Sequence, residues 1–186
     1  PGVRPVLAVV LGWMLAHNIL YTYITPFITP AGLAPRVDLV LLVFGLTALV
    51  GIAITGYVVD HYLRQAVLLS VGGFALVALL FSMYGTSSLA IYAGTALWGL
   101  TFGGAATLLQ TALADASGKH ADVALSLNVV TWNSAIALGG IFGGLLLRHD
   151  GSQSLPWVLL LLLLVTLVVV WRAGSHGFPA GARGNR

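Results

Sequence analysis

The chain has 186 residues, of which 59% are hydrophobic and 7% charged, and its formal charge is +3. Soluble domains carry about 25% charged residues, so a water-soluble globular fold is excluded, and the basic residues read as membrane-edge markers rather than a nucleic-acid footprint. The absence of cysteine removes disulfides, thiolate metal sites and a cysteine nucleophile from this chain.

Six apolar runs follow one another, each near the roughly 20 residues that a helix needs to cross a hydrocarbon core about 30 Å thick. With no water there to satisfy backbone groups, such runs must be helices packed on one another. The predicted fold is all-α, a single bundle over residues 1–173. The first span is expected at 5–28 and is closed by Pro26, Pro30, Gly32 and Pro35. The second, 38–59, stops at the charged turn Asp60-His61-Tyr62-Leu63-Arg64. The third, 66–84, precedes the hinge Gly85-Thr86-Ser87-Ser88. The fourth, 89–114, ends in Asp115-Ala116-Ser117-Gly118-Lys119-His120. Asp122 is placed to cap the fifth, 122–147, which ends before Arg148-His149-Asp150-Gly151. The sixth, 155–171, carries Pro156 in its first turn, where a missing N–H costs little. Residues 174–186, rich in Gly, Pro and Arg, are expected to form a disordered cytoplasmic tail. The chain begins at Pro1, and its first methionine, Met14, lies inside an apolar run, which reads as a piece of a longer polypeptide.

An even number of crossings puts both termini on one side. Arg4, Arg64, Lys119, Arg172, Arg183 and Arg186 fall on that side and Arg36 and Arg148 on the other. The excess makes the first side cytoplasmic.

Helices in lipid gain little from apolar burial against each other and instead bring small residues together. Gly99 and Gly103 in the fourth span, and Gly139 and Gly143 in the fifth, repeat at four-residue spacing and predict close helix contacts, static or sliding. The sixth span is oily all round and is expected at the lipid-facing periphery.

All five acids, Asp38, Asp60, Asp115, Asp122 and Asp150, lie near span ends. Chemistry must therefore come from neutral polar groups. His17, Tyr21 and Thr25 recur every four residues and share a helix face, with Asn18 beside them. His17 is the one histidine inside an apolar run. It can serve as an interhelical hydrogen-bonding group, a substrate contact or a proton carrier. Asn128 and Trp132, four apart, and the adjacent Asn133 either line a cavity or bond between helices. Together, His17, Asn18, Tyr21, Asn128, Trp132 and Asn133 are the candidate cavity residues. No cofactor and no metal is implied.

These residues carry a resemblance. His17-Asn18-Ile19-Leu20-Tyr21-Thr22-Tyr23-Ile24-Thr25-Pro26-Phe27 resembles the seventh span of major facilitator superfamily transporters of the drug:proton antiporter branch, which includes sugar, nucleoside and drug exporters. Gly56, Asp60 and Arg64 match that superfamily's cytoplasmic loop signature after the eighth span. His61 stands where arginine is usual, and Gln65 where a final basic residue is common. Asn128, Asn133, Gly139 and Gly143 resemble the eleventh span, with Ala135 where glycine is frequent. The resemblance implies the carboxyl-terminal six-span half of a twelve-span carrier of the bacterial plasma membrane, with both termini cytoplasmic and an amino-terminal half as partner. It further implies alternating access, a small polar or amphipathic substrate, proton-coupled efflux, and a cytoplasmic gate at Gly56, Asp60 and Arg64.

Other classes fit less well. A six-span membrane scaffold without transport stays open. An intramembrane serine protease needs a Gly-x-Ser-Gly setting and a histidine partner; Ser134 lies in Asn133-Ser134-Ala135, and the last span holds no histidine. An enzyme is not expected.

Overall fold

The computed structural model describes residues 2–181. Arg183 and Arg186, used above as topology markers, lie outside the described residues.

The described residues contain helices and turns and no strand. Seven α-helices follow in order: α1 Val3–Thr22, α2 Ile24–Ile28, α3 Val37–Tyr84, α4 Ser88–Phe102, α5 Ala105–Ser117, α6 Ala121–His149 and α7 Leu155–Arg172. The expected first span comprises α1 and α2, broken at Tyr23 (φ −111°, ψ 26°). Pro26 is the cause: it has no N–H to give the Thr22 carbonyl, so the ladder fails one turn earlier. Two 3₁₀ turns with Pro30 and Pro35 near their starts complete the connection, and left-handed Gly32 (φ 73°) closes the first.

The second and third expected spans differ from the separate helices foreseen. Both belong to α3, 48 residues long, whose one non-helical residue is Tyr62 (φ −132°, ψ 31°). No Pro or Gly occurs between Tyr57 and Val71, so nothing stops helical backbone on either side of the bend. The chain nevertheless reverses there. Gly51 and Gly73 lie at equal distances before and after Tyr62, and both abut Leu100–Thr101 of α4. The arms 37–61 and 63–84 therefore flank the same stretch of α4. The fourth expected span is divided at Gly103–Gly104 into α4 and α5. Asp122 does not cap α6: His120 is its N-cap residue, and Asp122 sits in the first turn, where its charge suits the helix dipole. Counted as continuous helical runs that are long and apolar enough to cross a membrane, there are four among the described residues: Val3–Thr22, Ala34–Tyr84, Ser88–His149 and Ser152–Arg172. Two of them, at 51 and 62 residues, exceed twice the crossing length.

The glycine seams set which helices touch. A Cβ at Gly103 would strike the Ala48 carbonyl, and one at Gly99 the Phe44 carbonyl, so α4 lies directly on the first arm of α3. A Cβ at Gly139 would stand 2.7 Å from Cβ of Asn18, and one at Gly143 2.6 Å from the Tyr23 ring. The Tyr23 hydroxyl donates to the Gly140 carbonyl at 2.7 Å, fixing α1 on α6. On α7, Leu155, Leu159, Leu163, Thr166 and Val170 are buried, while Leu161, Val165, Val168 and Trp171 are exposed. The indole N–H of Trp171 is the one polar side-chain group among these exposed residues.

Two ends of the bundle are distinguishable. At one, Gly2 meets His176 and Ala116, and Arg64 reaches the last turn of α7. At the other, Gln153 donates to the Phe27 carbonyl at 3.3 Å and Ser88 to the Ala31 carbonyl at 3.0 Å. The composition of 174–186 predicts a disordered tail. Residues 182–186 lie outside the described residues, and 174–178 instead turn back on the bundle. The Phe178 N–H bonds the Ala173 carbonyl at 3.0 Å, and its side chain is buried. The difference arises because one aromatic side chain within a Gly-rich run, Phe178, buries in the apolar core, while Gly177 lies against Pro5 and Val6.

Candidate functional site

His17 sits in the last third of α1, near the middle of the span formed by α1 and α2, and its ring meets those of α3 and α4. Its ring lies flat on Phe102, with centroids 3.6 Å apart and planes 4° apart. On its other side it stacks on Tyr21, one helical turn on, at 5.4 Å and 22°. Trp98 and Phe44 approach the imidazole at 5.3 and 5.9 Å and each other at 4.5 Å. Trp13 meets Phe102 edge-on at 6.3 Å, and Phe74 stacks on Trp98 at 5.9 Å. Four helical segments thus deliver one aromatic cluster, held together by dispersion and by offset or edge-on ring geometry.

The cluster contains polar atoms without partners. Nδ1 of His17 and Nε1 of Trp13 and Trp98 are buried with no hydrogen bond, as is Oγ1 of Thr95 on the same helix as Trp98. A buried polar group left unsatisfied costs about 1–3 kcal/mol, and buried tryptophan N–H groups usually find an acceptor. Tyr21, by contrast, is 45% exposed.

The other sequence candidates are distributed differently. Asn18 donates to the Met14 carbonyl of its own helix at 2.7 Å and wedges its Cβ against Gly139. Helices α1 and α6 run parallel, since residue 18 meets 139 and 23 meets 143. In that register Asn128 falls near the level of Leu7, and Leu127 shares a recess with Val3, Arg4 and Leu7. Asn128 is thus about 15 Å along the axis from His17. It is buried, and its Oδ1 has no partner. Trp132 packs against the core, whereas Asn133 is exposed and donates to the Val129 carbonyl at 2.8 Å. His17 and Tyr21 form one group; Asn128, Trp132 and Asn133 form another at a different depth.

Of the loop residues, Gly56 is exposed and a Cβ there would meet nothing. Asp60 is exposed as well. Arg64 donates to the carbonyls of Val170, Trp171 and Phe178, each at 3.0 Å. No spacing in the sequence signals Phe44 and Phe102, because they meet His17 only through the tertiary fold. No group of three His, Cys, Asp or Glu able to hold a metal occurs among the described residues. A cavity of about 450 Å³ opens between the α3 arms and α4, next to Thr55, Tyr62, Gln65 and Thr101. None of the candidate residues lines it.

The sequence matches the family model described as Major Facilitator Superfamily over residues 6–185. The chain belongs to the Major Facilitator Superfamily. Among curated members, it is 27% identical over 157 residues to an uncharacterized MFS-type transporter, YbcL, of Bacillus subtilis, covering 82% of this chain and 40% of that protein. It is 29% identical over 176 residues to the purine ribonucleoside efflux pump NepI of Escherichia coli O157:H7, covering 91% of this chain and 43% of the pump. The chain thus spans less than half the length of these superfamily relatives. In fold it is similar to the crystal structure of the POT family transporter PepTSo, with a TM-score of 0.83 and 17% identity over 95% of this chain and 38% of that one.

Proposed function

We propose that this chain forms the carboxyl-terminal half of a major facilitator carrier. It crosses a bacterial plasma membrane six times, with both termini in the cytoplasm. Two observations support six crossings: the reversal at Tyr62, and the sorting of connections between two ends. Arg4, Arg64, Arg172 and the end of α5 gather at one end, and the turns near Arg36 and Arg148 at the other.

The whole carrier exports a small polar or amphipathic solute in exchange for protons. The observation that carries this reading is the aromatic cluster around His17: a half-buried imidazole and unpartnered N–H groups held inside an otherwise apolar bundle. Polar groups at that depth are costly and mark solute or ion pathways. Tyr21, Asn128, Trp132 and Asn133 line the passage at two depths. The amino-terminal half supplies the opposite wall and the carboxylates this half lacks in its spans. Gly56, Asp60 and Arg64 belong to the cytoplasmic gate. The chain has no catalytic role, no cofactor and no metal.

The test is transport by the full-length carrier in everted membrane vesicles. Purine ribonucleosides, after which the relative NepI is named, are the first solutes to try. Uptake driven by an acid interior and abolished by a protonophore is expected. Solute movement indifferent to the pH gradient would remove proton coupling, and an absence of movement for any polar solute would favour a scaffold.

A further inference from the structure

The rings of Phe102, His17 and Tyr21 form a continuous stack of three, running from the α1–α4 interface outward. Its inner pair is nearly parallel, at 4°, and its outer pair is tilted by 22°. At the inner end Phe102 is half-buried and meets Trp13 edge-on. At the outer end Tyr21 is 45% exposed although it sits within an apolar helix. Phe44 and Trp98 stand to one side of Tyr21 at 6.2 and 6.4 Å. Phe44 is half-buried and Trp98 fully buried, so the wall beside the open ring face is aromatic and fixed.

Charge narrows what such a surface accepts. Among the described residues, every Asp, Lys and Arg lies near a helix end, in a connection or beside the bend at Tyr62, so none of them offers a carboxylate for an organic cation or a guanidinium for an anion at the level of His17. Open aromatic faces bind flat π-systems through stacking that tolerates differences in edge chemistry. We propose that the exposed face of Tyr21 is a stacking platform for neutral solutes with a flat conjugated ring, which extend the Phe102–His17–Tyr21 stack by one member. This rests on the reading of the chain as one wall of a solute passage. Within it, the substrate class is set by ring planarity rather than by formal charge.

The experiment uses the full-length carrier in nanodiscs and two neutral flat fluorophores, 2-aminopurine riboside and an uncharged coumarin, with maltose as a saturated, non-planar competitor. Binding is read as quenching on addition of carrier. Quenching of at least one flat probe is expected, with no displacement by maltose. Tyr21→Ala weakens binding about tenfold, the usual loss when a stacked aromatic is removed, whereas Tyr21→Trp and Tyr21→Phe keep it within a few-fold. Because Tyr21 is exposed, the folding of Tyr21→Ala is checked by thermal melting and is expected to match the parent. Equal loss in the Phe and Ala variants, or displacement by maltose as strong as by unlabelled flat compound, overturns the stacking platform. No quenching of either flat probe, by a carrier that still transports another solute in vesicles, overturns it too and leaves the transport reading intact. A folded carrier that moves no solute at all sinks the transport reading itself.

Discussion

Arg64 donates to the Phe178 carbonyl at 3.0 Å, across 114 positions of sequence. The same nitrogen also reaches the Val170 carbonyl, and its twin reaches Trp171. These acceptors include the orphan carbonyls of the last turn of α7, which have no amide left to pair with. A cation there also opposes the negative end of the helix dipole. One guanidinium thus ties the bend of α3 to the end of α7 and to the returning segment. The gate signature's arginine is engaged within this half.

Replacing Arg64 should free that segment. Hydrogen bonds from charged groups contribute about 1.5–3 kcal/mol each, less where water competes, and Arg64 is half-buried. For Arg64→Ala, amide hydrogen exchange at residues 173–178 should accelerate severalfold while the middle of α1 stays protected. Arg64→Lys should recover only part of the loss, since one ammonium cannot span the planar fork. Unchanged exchange in the Ala variant would refute the tie.

Phe178→Ala tests the seat beneath it. Truncating a fully buried phenylalanine costs about 3–5 kcal/mol in compact cores, and Phe178 is 0% exposed. The thermal midpoint of the detergent-solubilised carrier should fall, and limited proteolysis after Arg172 should quicken. A variant as resistant as the parent would show that this packing adds nothing.

The glycine seams give a contrast of neighbours. Gly103→Val drives a branched side chain into the Ala48 backbone, whereas Gly56→Ala meets open space. The first should lose folded yield and melt lower. The second should hold or gain slightly, because Ala is favoured over Gly in a helix by up to about 1 kcal/mol. Similar melting of the two would contradict the close approach of α4 to α3.

Much of this was legible in the chain because lipid imposes a coarse rule on composition. Runs of about 20 apolar residues must be helices, and Pro26, Pro30 and Pro35 mark a turn whatever the surroundings. The separation between 59 and 66 was less legible. Charges suggested a loop, but without Pro or Gly from 57 to 71 the backbone stays helical and bends at Tyr62 alone. The glycine repeats announced contact but not with whom; that Gly99 would meet Phe44, and Gly139 Asn18, depends on the tertiary arrangement. The same holds for the site. His17 and Tyr21 were findable from their four-residue spacing. The depth of Asn128 follows from the parallel register of α1 and α6, and the approach of Phe44 and Phe102 to His17 from how α3 and α4 pack, neither of which a linear pattern records.

His17 separates the structural and chemical uses of one ring. As an aromatic plate it fills the space between Tyr21 and Phe102; as an imidazole it brings a buried Nδ1 with no partner. His17→Phe keeps the plate and deletes the unsatisfied atom, which removes a penalty of about 1–3 kcal/mol. The variant should therefore melt at or above the parent temperature. His17→Ala, which leaves a void among four rings, should melt lower. If the imidazole serves solute or proton, the stable Phe variant should also transport poorly or lose pH dependence. Poor transport in a protein more stable than its parent is the pattern expected where local stability has been given up for function. A Phe variant that melts lower and transports normally across pH would make His17 a packing residue only.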